Sequence, residues 1–280
     1  MQEKTYIPFT ERMKEDYTIL IPTMLPRHFR LMASILHTYG YNVEVLDNCG
    51  PEVAEQGLGY VHNDACYPAV LVIGQFLQAI KQPEWDPKKL ALMLFQTGGG
   101  CRASNYVSLL RKALARAGFD YVPVIGFSLG NLEKHPGFRL SPRQLLSLLN
   151  AVIYGDLLMT LVNQTKPYEV REGAAETLAD AWTARLGREL GQKGHNRWTR
   201  VKENCRAIIA DFAAIEKEPR PTVKVGVVGE IFVKYSPLRS EEHTSELQSH
   251  HCISYAVFCL ERAHGLNSSH TTVSRMPSSA

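Results

Sequence analysis

The chain has 280 residues, 45% of them hydrophobic, and the part before Arg239 is long enough for one large domain or for one and a half ordinary ones. Its formal net charge of +3 is spread along the chain, which argues against a nucleic-acid-binding protein. The six cysteines form neither the close pairs of a zinc ribbon nor a dense disulfide framework. Because the polar N-terminus lacks an apolar signal core, a cytoplasmic protein is expected.

The first predicted elements form a β-α-β unit. Thr18–Thr23 is a short apolar run typical of a buried parallel strand. Apolar residues then recur at helical spacing up to Gly40, a residue that commonly ends helices. Asn42–Leu46 follows as the second strand and completes the unit.

Cys66 stands at the beginning of the next predicted helix. The residues before it, 47–65, contain Asp, Asn, Gly and Pro and are predicted to form a loop. Pro68 can occupy the first turn of the helix, where its missing N–H costs no hydrogen bond.

The pattern then repeats around a second cysteine. Leu90–Gln96 is a predicted strand, Thr97–Gly100 a glycine-rich turn, and Cys101 begins the following helix. Gly118 ends that helix, and Tyr121–Phe127 is the next strand. Strands that alternate with helices predict an α/β fold with an open parallel sheet and helices on both faces.

The second half of the chain is predicted to be mainly helical. The expected helices lie near Pro142–Val162, Tyr168–Leu190 and Thr199–Lys217. The most apolar stretch, Leu145–Val162, contains Asn150 and Asp156, which favours a buried helix over a membrane span. Val223–Ile231 then has the sequence of a buried strand and is interpreted as the first strand of a second α/β domain.

Cys66 and Cys101 are the residues to which the chemistry is assigned. In a doubly wound sheet, the loops that enter the helices lie at the carboxyl ends of the strands, where ligands bind. The partial positive charge of a helix N-terminus favours a thiolate or an anionic cluster. Gly98, Gly99 and Gly100 carry no side chains, so a bulky group can approach the backbone there. These features suit an iron–sulfur cluster, although two small buried cysteines beside a tight turn explain the spacing more simply.

Other polar residues are secondary candidates. Cys205 lies on the apolar face of a predicted helix and is assigned to the core. Cys49, in the loop after the second strand, is either a third ligand or a loop thiol. Arg102 and Asn105 either contact an anion such as a coenzyme A phosphate or face the solvent. The glycine-rich turn matches neither of the glycine motifs that bind nucleotides.

Four segments together resemble the 2-hydroxyacyl-CoA dehydratase superfamily. They are YVHNDACYPAVLVIGQ, FQTGGGCRASNYVSLLRKAL, TILIPTMLPRHFRLM and VKVGVVGEIFVKYSPL. The group they match most closely is labelled acyl-CoA dehydratase activase-related, or CoA-substrate-specific enzyme activase, and the resemblance extends from Phe9 to Leu238. It implies flavodoxin-like α/β domains in which Cys66 and Cys101 are ligands of an iron–sulfur cluster, either 4Fe-4S or a double cubane. Their sulfurs are therefore expected to lie close enough to share one cluster.

The resemblance also implies a partner and a reaction. An ATP-hydrolysing activase module, fused or separate, drives low-potential electrons into the cluster for radical reduction or dehydration of an acyl-CoA thioester. The chain would then be a fragment of an electron-transferring lyase or reductase, inactive alone, with no nucleic acid or membrane involved. The Gly98–Gly100 turn would give the cluster room, while Arg102 and Asn105 would orient the substrate or the partner.

Two other functions fit the same residues. A cluster-free α/β module could recognise a CoA-like anion at the glycine-rich turn. Alternatively, Cys101 could be the nucleophile of an acyl transferase, with His62 as its base.

The final segment is predicted to be foreign to the rest of the chain. From Arg239 the sequence RSEEHTSELQSHHCISYAVFCLE resembles the translation of a sequencing-library adapter. Such a segment is expected to be largely irregular and exposed, with few contacts to the preceding chain, apart from a local collapse or a short strand or helix formed by Ile253, Tyr255, Val257, Phe258 and Leu260. The predicted organisation is a lead-in at 1–16, a cysteine-bearing α/β domain at 17–140, a helical segment at 141–221, the start of a truncated second α/β domain at 222–238, and the tail at 239–280.

Overall fold

The structure is a computed structural model, and it describes residues 6–62, 65–95, 102–127, 135–192, 195–219, 223–228, 235–236, 253–255 and 272–275. The chain divides into two compact units. The first comprises Met1–Met24 and Ala33–Gln144, and the second comprises Leu25–Met32 and Leu145–Ala280.

A four-stranded, all-parallel sheet forms the centre of the first unit. Its strands are β1 (Thr18–Ile21), β2 (Asn42–Val45), β3 (Leu90–Phe95) and β4 (Val124–Phe127). They lie in the order β2-β1-β3-β4, so Thr18 of β1 pairs with both Asn42 and Leu90. The two central strands, β1 and β3, are almost entirely buried, in agreement with their continuous apolar sequences. The predicted α/β class with a parallel sheet is confirmed.

Among the described residues, five helices before Gln144 contribute to the first unit, besides the first residues of a later helix. They are α1 (Glu11–Asp16), α2 (Pro26–Thr38), α3 (Pro51–Tyr60), α4 (Tyr67–Ile80) and α5 (Tyr106–Ala117), of which α2 begins within the second unit. Gly40 and Gly118 follow α2 and α5 with φ of 80° and 81°, the left-handed conformation that commonly ends a helix. The N-terminal segment is packed on this unit, since Phe9 is fully buried and its N–H donates to Nδ1 of His135 at 3.1 Å.

Several predicted element boundaries differ from the structure; for example, the helix predicted from Cys101 is represented by a 3-10 helix at Arg102–Asn105 and by α5, which begins only at Tyr106. The loop predicted at 47–65 is wrong, because Pro51–Tyr60 forms helix α3. Pro51 occupies its first turn, where proline is favoured, but two internal glycines lower the helix propensity of the sequence. The strand predicted at Tyr121–Phe127 begins only at Val124, because a turn precedes it in which the Val122 N–H donates to the Phe119 carbonyl at 3.0 Å.

Glycines allow α3 and α4 to cross with their backbones in contact. A Cβ atom at Gly57 would overlap the carbonyl oxygen of Val70, and one at Gly74 would overlap the carbonyl oxygen of Val53. The two helices run antiparallel, and the two contacts are equivalent, because each helix places one glycine against a valine carbonyl oxygen of the other helix. Any larger residue at either glycine must push the helices apart.

The crossing gives the first testable prediction. Gly74→Ala is expected to destabilise the protein by roughly 1–3 kcal/mol, because the added methyl group overpacks a backbone contact that cannot yield locally. Chemical denaturation monitored by circular dichroism measures the change.

Gly59→Ala is the matched control, because Gly59 lies in α3 with no atom within 4 Å of its would-be Cβ. Alanine there is expected to leave stability unchanged or to raise it by up to about 1 kcal/mol through helix propensity. Equal effects of the two substitutions would contradict the close crossing.

Three helices of the described residues lie in the second unit, near the predicted positions, although the helix predicted from Tyr168 begins only at Ala174. They are α6 (Pro142–Thr165), whose first residues belong to the first unit, α7 (Ala174–Leu190) and α8 (Trp198–Ala213). On α8, Val201, Ile208 and Phe212 are buried, while Cys205 is half-buried on the same helix. Glu169 caps α7, because its carboxylate accepts hydrogen bonds from the N–H groups of Gly173 and Ala175 at 2.8 and 2.7 Å.

Helix α6 is long and apolar enough to cross a membrane by length and composition, alone among the helices in the described ranges. It also meets polar partners along its length. The buried Ser147 hydroxyl donates to the Leu190 carbonyl at 3.1 Å, and the Asn150 amide donates to Asn196 at 3.3 Å. The interpretation of α6 as a helix of a folded domain stays a prediction.

A buried polar network joins the three helices of the second unit. Asn204 on α8 donates to the Tyr154 hydroxyl at 3.2 Å and to Glu189 at 3.4 Å. Burial raises the pKa of Tyr154 to about 12. Burial opposes ionisation of Glu189 as well, but the hydrogen bond and charge of Arg185, 3.0 Å away, help to outweigh it and lower the pKa of this carboxyl.

The network predicts a pH-dependent contribution to stability. A carboxyl whose pKa is lower in the folded state stabilises the fold above its ordinary pKa of 4.5, and this stabilisation disappears as the pH falls through the folded value. Glu189→Gln is therefore expected to lower the free energy of unfolding more at pH 7 than at pH 3. Urea denaturation at both values tests this.

Glu203→Gln serves as the control, because Glu203 is exposed and its ion pair with Arg200, at 3.4 Å, lies at the surface. If Glu189→Gln lowers the free energy of unfolding as much at pH 3 as at pH 7, the carboxylate charge is not what stabilises the network.

A second, three-stranded sheet contains residues of the predicted tail. Its central strand β5 (Val223–Val228) pairs in parallel with β6 (Ile253–Tyr255) and antiparallel with β7 (Thr272–Arg275). The expectation of few contacts between the tail and the preceding chain is therefore wrong for these two segments. Main-chain pairing needs no matched side chains, so an apolar strand such as β5 can pair with any extended segment. The foreign origin of residues 239–280 stays a prediction, and the rest of the tail lies outside the described residues.

Candidate functional site

Cys66 lies at the N-terminus of helix α4, as the sequence predicted. Its backbone is extended, with φ of −67° and ψ of 147°, and Pro68 follows in the first turn. The first turn contains no acidic residue, so no carboxylate on the helix offsets the positive end of the helix dipole. The side chain is half-buried, and its sulfur lies 2.9 Å from the hydroxyl oxygen of Tyr106.

Tyr106 connects this cysteine to the next predicted site segment. It is the first residue of α5, the helix that follows β3 and the glycine-rich turn in the chain. The strand order reverses between β1 and β3, which is where open α/β sheets bind their ligands. Cys66 therefore contacts α5, the helix that follows β3, and β3 is one of the two strands between which the strand order reverses.

Gln75 was not predicted as a site residue. Its side chain forms hydrogen bonds with both the segment that follows β1 and the segment that follows β2. It is fully buried in α4, and its side-chain oxygen accepts from the Thr23 N–H at 3.1 Å. Its amide nitrogen donates to the carbonyl oxygens of Asn48 at 3.0 Å and Leu46 at 3.5 Å. One side chain thereby holds two connections and α4 together.

The other predicted site residues are only partly described. Arg102 begins a short 3-10 helix, Arg102–Asn105, but its side chain lies outside the described residues. Asn105 is exposed and precedes α5 without capping it through its side chain. Cys101 and the Gly98–Gly100 turn lie outside the described residues, and so does the predicted proximity of the Cys66 and Cys101 sulfurs.

The three described cysteines differ in their suitability as ligands. Metal ligation requires a thiolate. Burial raises the pKa of the Cys205 thiol, which disfavours its thiolate. Cys49 is exposed in the connection between β2 and α3. Cys66 alone among them combines partial burial with a helix N-terminus and a hydroxyl group next to the sulfur.

The donor chemistry at Cys66 fits an iron–sulfur cluster, because a soft thiolate near a helix N-terminus is a suitable ligand. Within the described ranges, no group of three or more His, Cys, Asp or Glu side chains lies close enough to hold a metal ion. Cys101, the other predicted ligand, lies outside those ranges.

A cavity of about 460 Å³ in the second unit was also missed from the sequence. It lies at the start of α2, where Arg27 forms ion pairs with Glu176 and, at 3.8 Å, with Asp180. His28 is buried and its Nε2 lies 2.9 Å from Asp156, next to Gly155, where a Cβ would overlap the imidazole. The only sequence signal was the cluster of basic residues in PRHFR directly after β1.

Comparisons with known proteins do not assign the site. No protein-family model, no curated protein and no solved structure matches the chain.

Gln75→Met is expected to destabilise the protein by about 2–4 kcal/mol. The substitution keeps the volume but leaves the Thr23 N–H and the Asn48 carbonyl without this partner in a buried place. Thermal or urea denaturation measures the effect. Gln56→Met is the control, because it removes only an exposed hydrogen bond from Lys81 and should change stability by less than about 0.5 kcal/mol. A small effect of Gln75→Met would show that the two connections hold their positions without it.

Proposed function

We propose that this chain is part of a 2-hydroxyacyl-CoA dehydratase-like reductase component in which Cys66 and Cys101 hold an iron–sulfur cluster. The cluster receives low-potential electrons from an ATP-hydrolysing activase in the cytoplasm and serves radical chemistry on an acyl-CoA thioester. The resemblance of the two cysteine segments to that superfamily supplies the reaction class.

The position of Cys66 is the observation that carries the proposal. Its half-buried sulfur lies at the positive end of α4 and contacts the first residue of α5. In sequence, α5 follows Cys101 by only a short 3-10 helix. Cys101 is thus close in sequence to Tyr106, the residue that contacts Cys66.

The first unit is further proposed to be flavodoxin-like. Its strand order β2-β1-β3-β4 agrees with the first four strands of that doubly wound arrangement. In such folds the ligand lies beyond the carboxyl ends of the strands at the reversal, which here are β1 and β3. The glycine-rich turn directly follows β3 in the sequence.

In this proposal each residue has a simple role. The thiolates of Cys66 and Cys101 bind the cluster, which when bound supplies single electrons at low potential. The glycine-rich turn leaves space for it, and Arg102 and Asn105 orient the substrate or the activase. Partial burial of Cys66 limits the access of water to its sulfur.

Anaerobic reconstitution with iron and sulfide tests the proposal. The purified chain is expected to bind iron and sulfide and to show the visible absorption of a cluster, whereas Cys66→Ser and Cys101→Ser lose most of the bound iron. Cys205→Ser is the matched control and should retain it, because that half-buried thiol has a raised pKa.

Absence of iron uptake by the unmodified chain, or uptake that survives Cys66→Ser, would contradict the cluster assignment. CoA binding that persists without both cysteines would favour the cluster-free binding module instead. Rapid alkylation of Cys101 without metal would favour the acyl transferase.

A further inference from the structure

The contact between Cys66 and Tyr106 has the geometry of a hydrogen bond. The sulfur and the hydroxyl oxygen are 2.9 Å apart, and both side chains are half-buried. In the neutral thiol form either atom could donate. In the thiolate form the sulfur has no proton, so only the tyrosine hydroxyl can donate.

Both partners are fixed by the fold rather than by each other. Cys66 precedes α4, whose position is set by the glycine crossing with α3. Tyr106 begins α5, which is anchored by the fully or almost fully buried Val107 and Leu110 on its inner face. Two separately anchored helices therefore hold the oxygen and the sulfur together, so the contact does not depend on a mobile surface side chain.

We propose that Tyr106 is a positioning residue that donates its hydroxyl hydrogen to the Cys66 thiolate. This inference rests on the proposed cluster site, because a hydrogen bond to a ligand sulfur withdraws electron density from it. Such bonds raise the reduction potential of an iron–sulfur cluster and fix the orientation of its ligand. Tyr106 would therefore set how easily the cluster accepts an electron from the activase, without itself touching the substrate.

Tyr106→Phe tests the inference, because it removes one oxygen atom and keeps the aromatic ring. In the reconstituted protein the iron content should stay the same, while the midpoint potential, measured by a redox titration followed by electron paramagnetic resonance, should become more negative. In the metal-free chain, Cys66 should react with iodoacetamide at pH 7.5 about 2- to 10-fold more slowly, the change expected for the loss of one hydrogen bond that stabilises the thiolate.

Two controls separate this effect from damage to the fold. Tyr121→Phe makes the same chemical change at an exposed tyrosine of the first unit and should leave both the potential and the alkylation rate unchanged. In every sample, residue-resolved mass spectrometry also follows Cys205, whose rate should not rise if the variant is folded.

The outcomes distinguish the two proposals. If the unmodified chain binds no iron, the cluster assignment fails, and the hydrogen bond is judged by the alkylation rate alone. If iron binds but Tyr106→Phe changes neither the potential nor the rate, the positioning role is overturned while the cluster assignment stands. A slower alkylation with an unchanged potential also overturns the tuning of the cluster.

Discussion

The architecture around the candidate site depends on one close contact between helix backbones. Gly57 and Gly74 let α3 and α4 approach so closely that each glycine touches a carbonyl oxygen of the other helix. Packing of this kind is rigid, because a backbone cannot change rotamer to relieve a misfit. The crossing thus fixes the position of the whole of α4. This helix has Cys66 at its start and Gln75 in its middle.

Gln75 extends this constraint from the helix to the ends of the strands. An apolar side chain there would bury equally well, but the connections after β1 and β2 expose an N–H and carbonyl groups that need partners in a buried place. The glutamine satisfies them from α4 and so ties the helix to the connections that follow both strands. The positions of α4 and of these connections are therefore coupled, and a displacement of the helix would disturb both.

The sequence predicted the sheet well because its signal is local. β1 and β3 are buried on both faces, so their apolar runs are unbroken and their positions follow directly from composition. Helix α3 was missed because its two glycines lower helix propensity, and the packing that requires one of them, Gly57, involves residues more than ten positions away. Local propensity was overridden by a tertiary contact that no single segment contains.

The candidate site was likewise predictable only where its signal lies in neighbouring residues. That Cys66 begins a helix follows from the neighbouring Pro68, whereas its contact with Tyr106 joins residues 40 positions apart and needs the folded structure. The same holds for Gln75, whose apolar neighbours in α4 conceal its role.

The three described cysteines show why position matters more than residue type for metal chemistry. A ligand sulfur must be ionised, yet burial that shields it from water also penalises the charge. Burial without an opposing group raises the pKa of Cys205, and exposure leaves Cys49 open to water. At Cys66, partial burial is accompanied by a helix N-terminus and by the Tyr106 hydroxyl oxygen, 2.9 Å from the sulfur. Among the three described cysteines, only Cys66 has both of these features beside its sulfur.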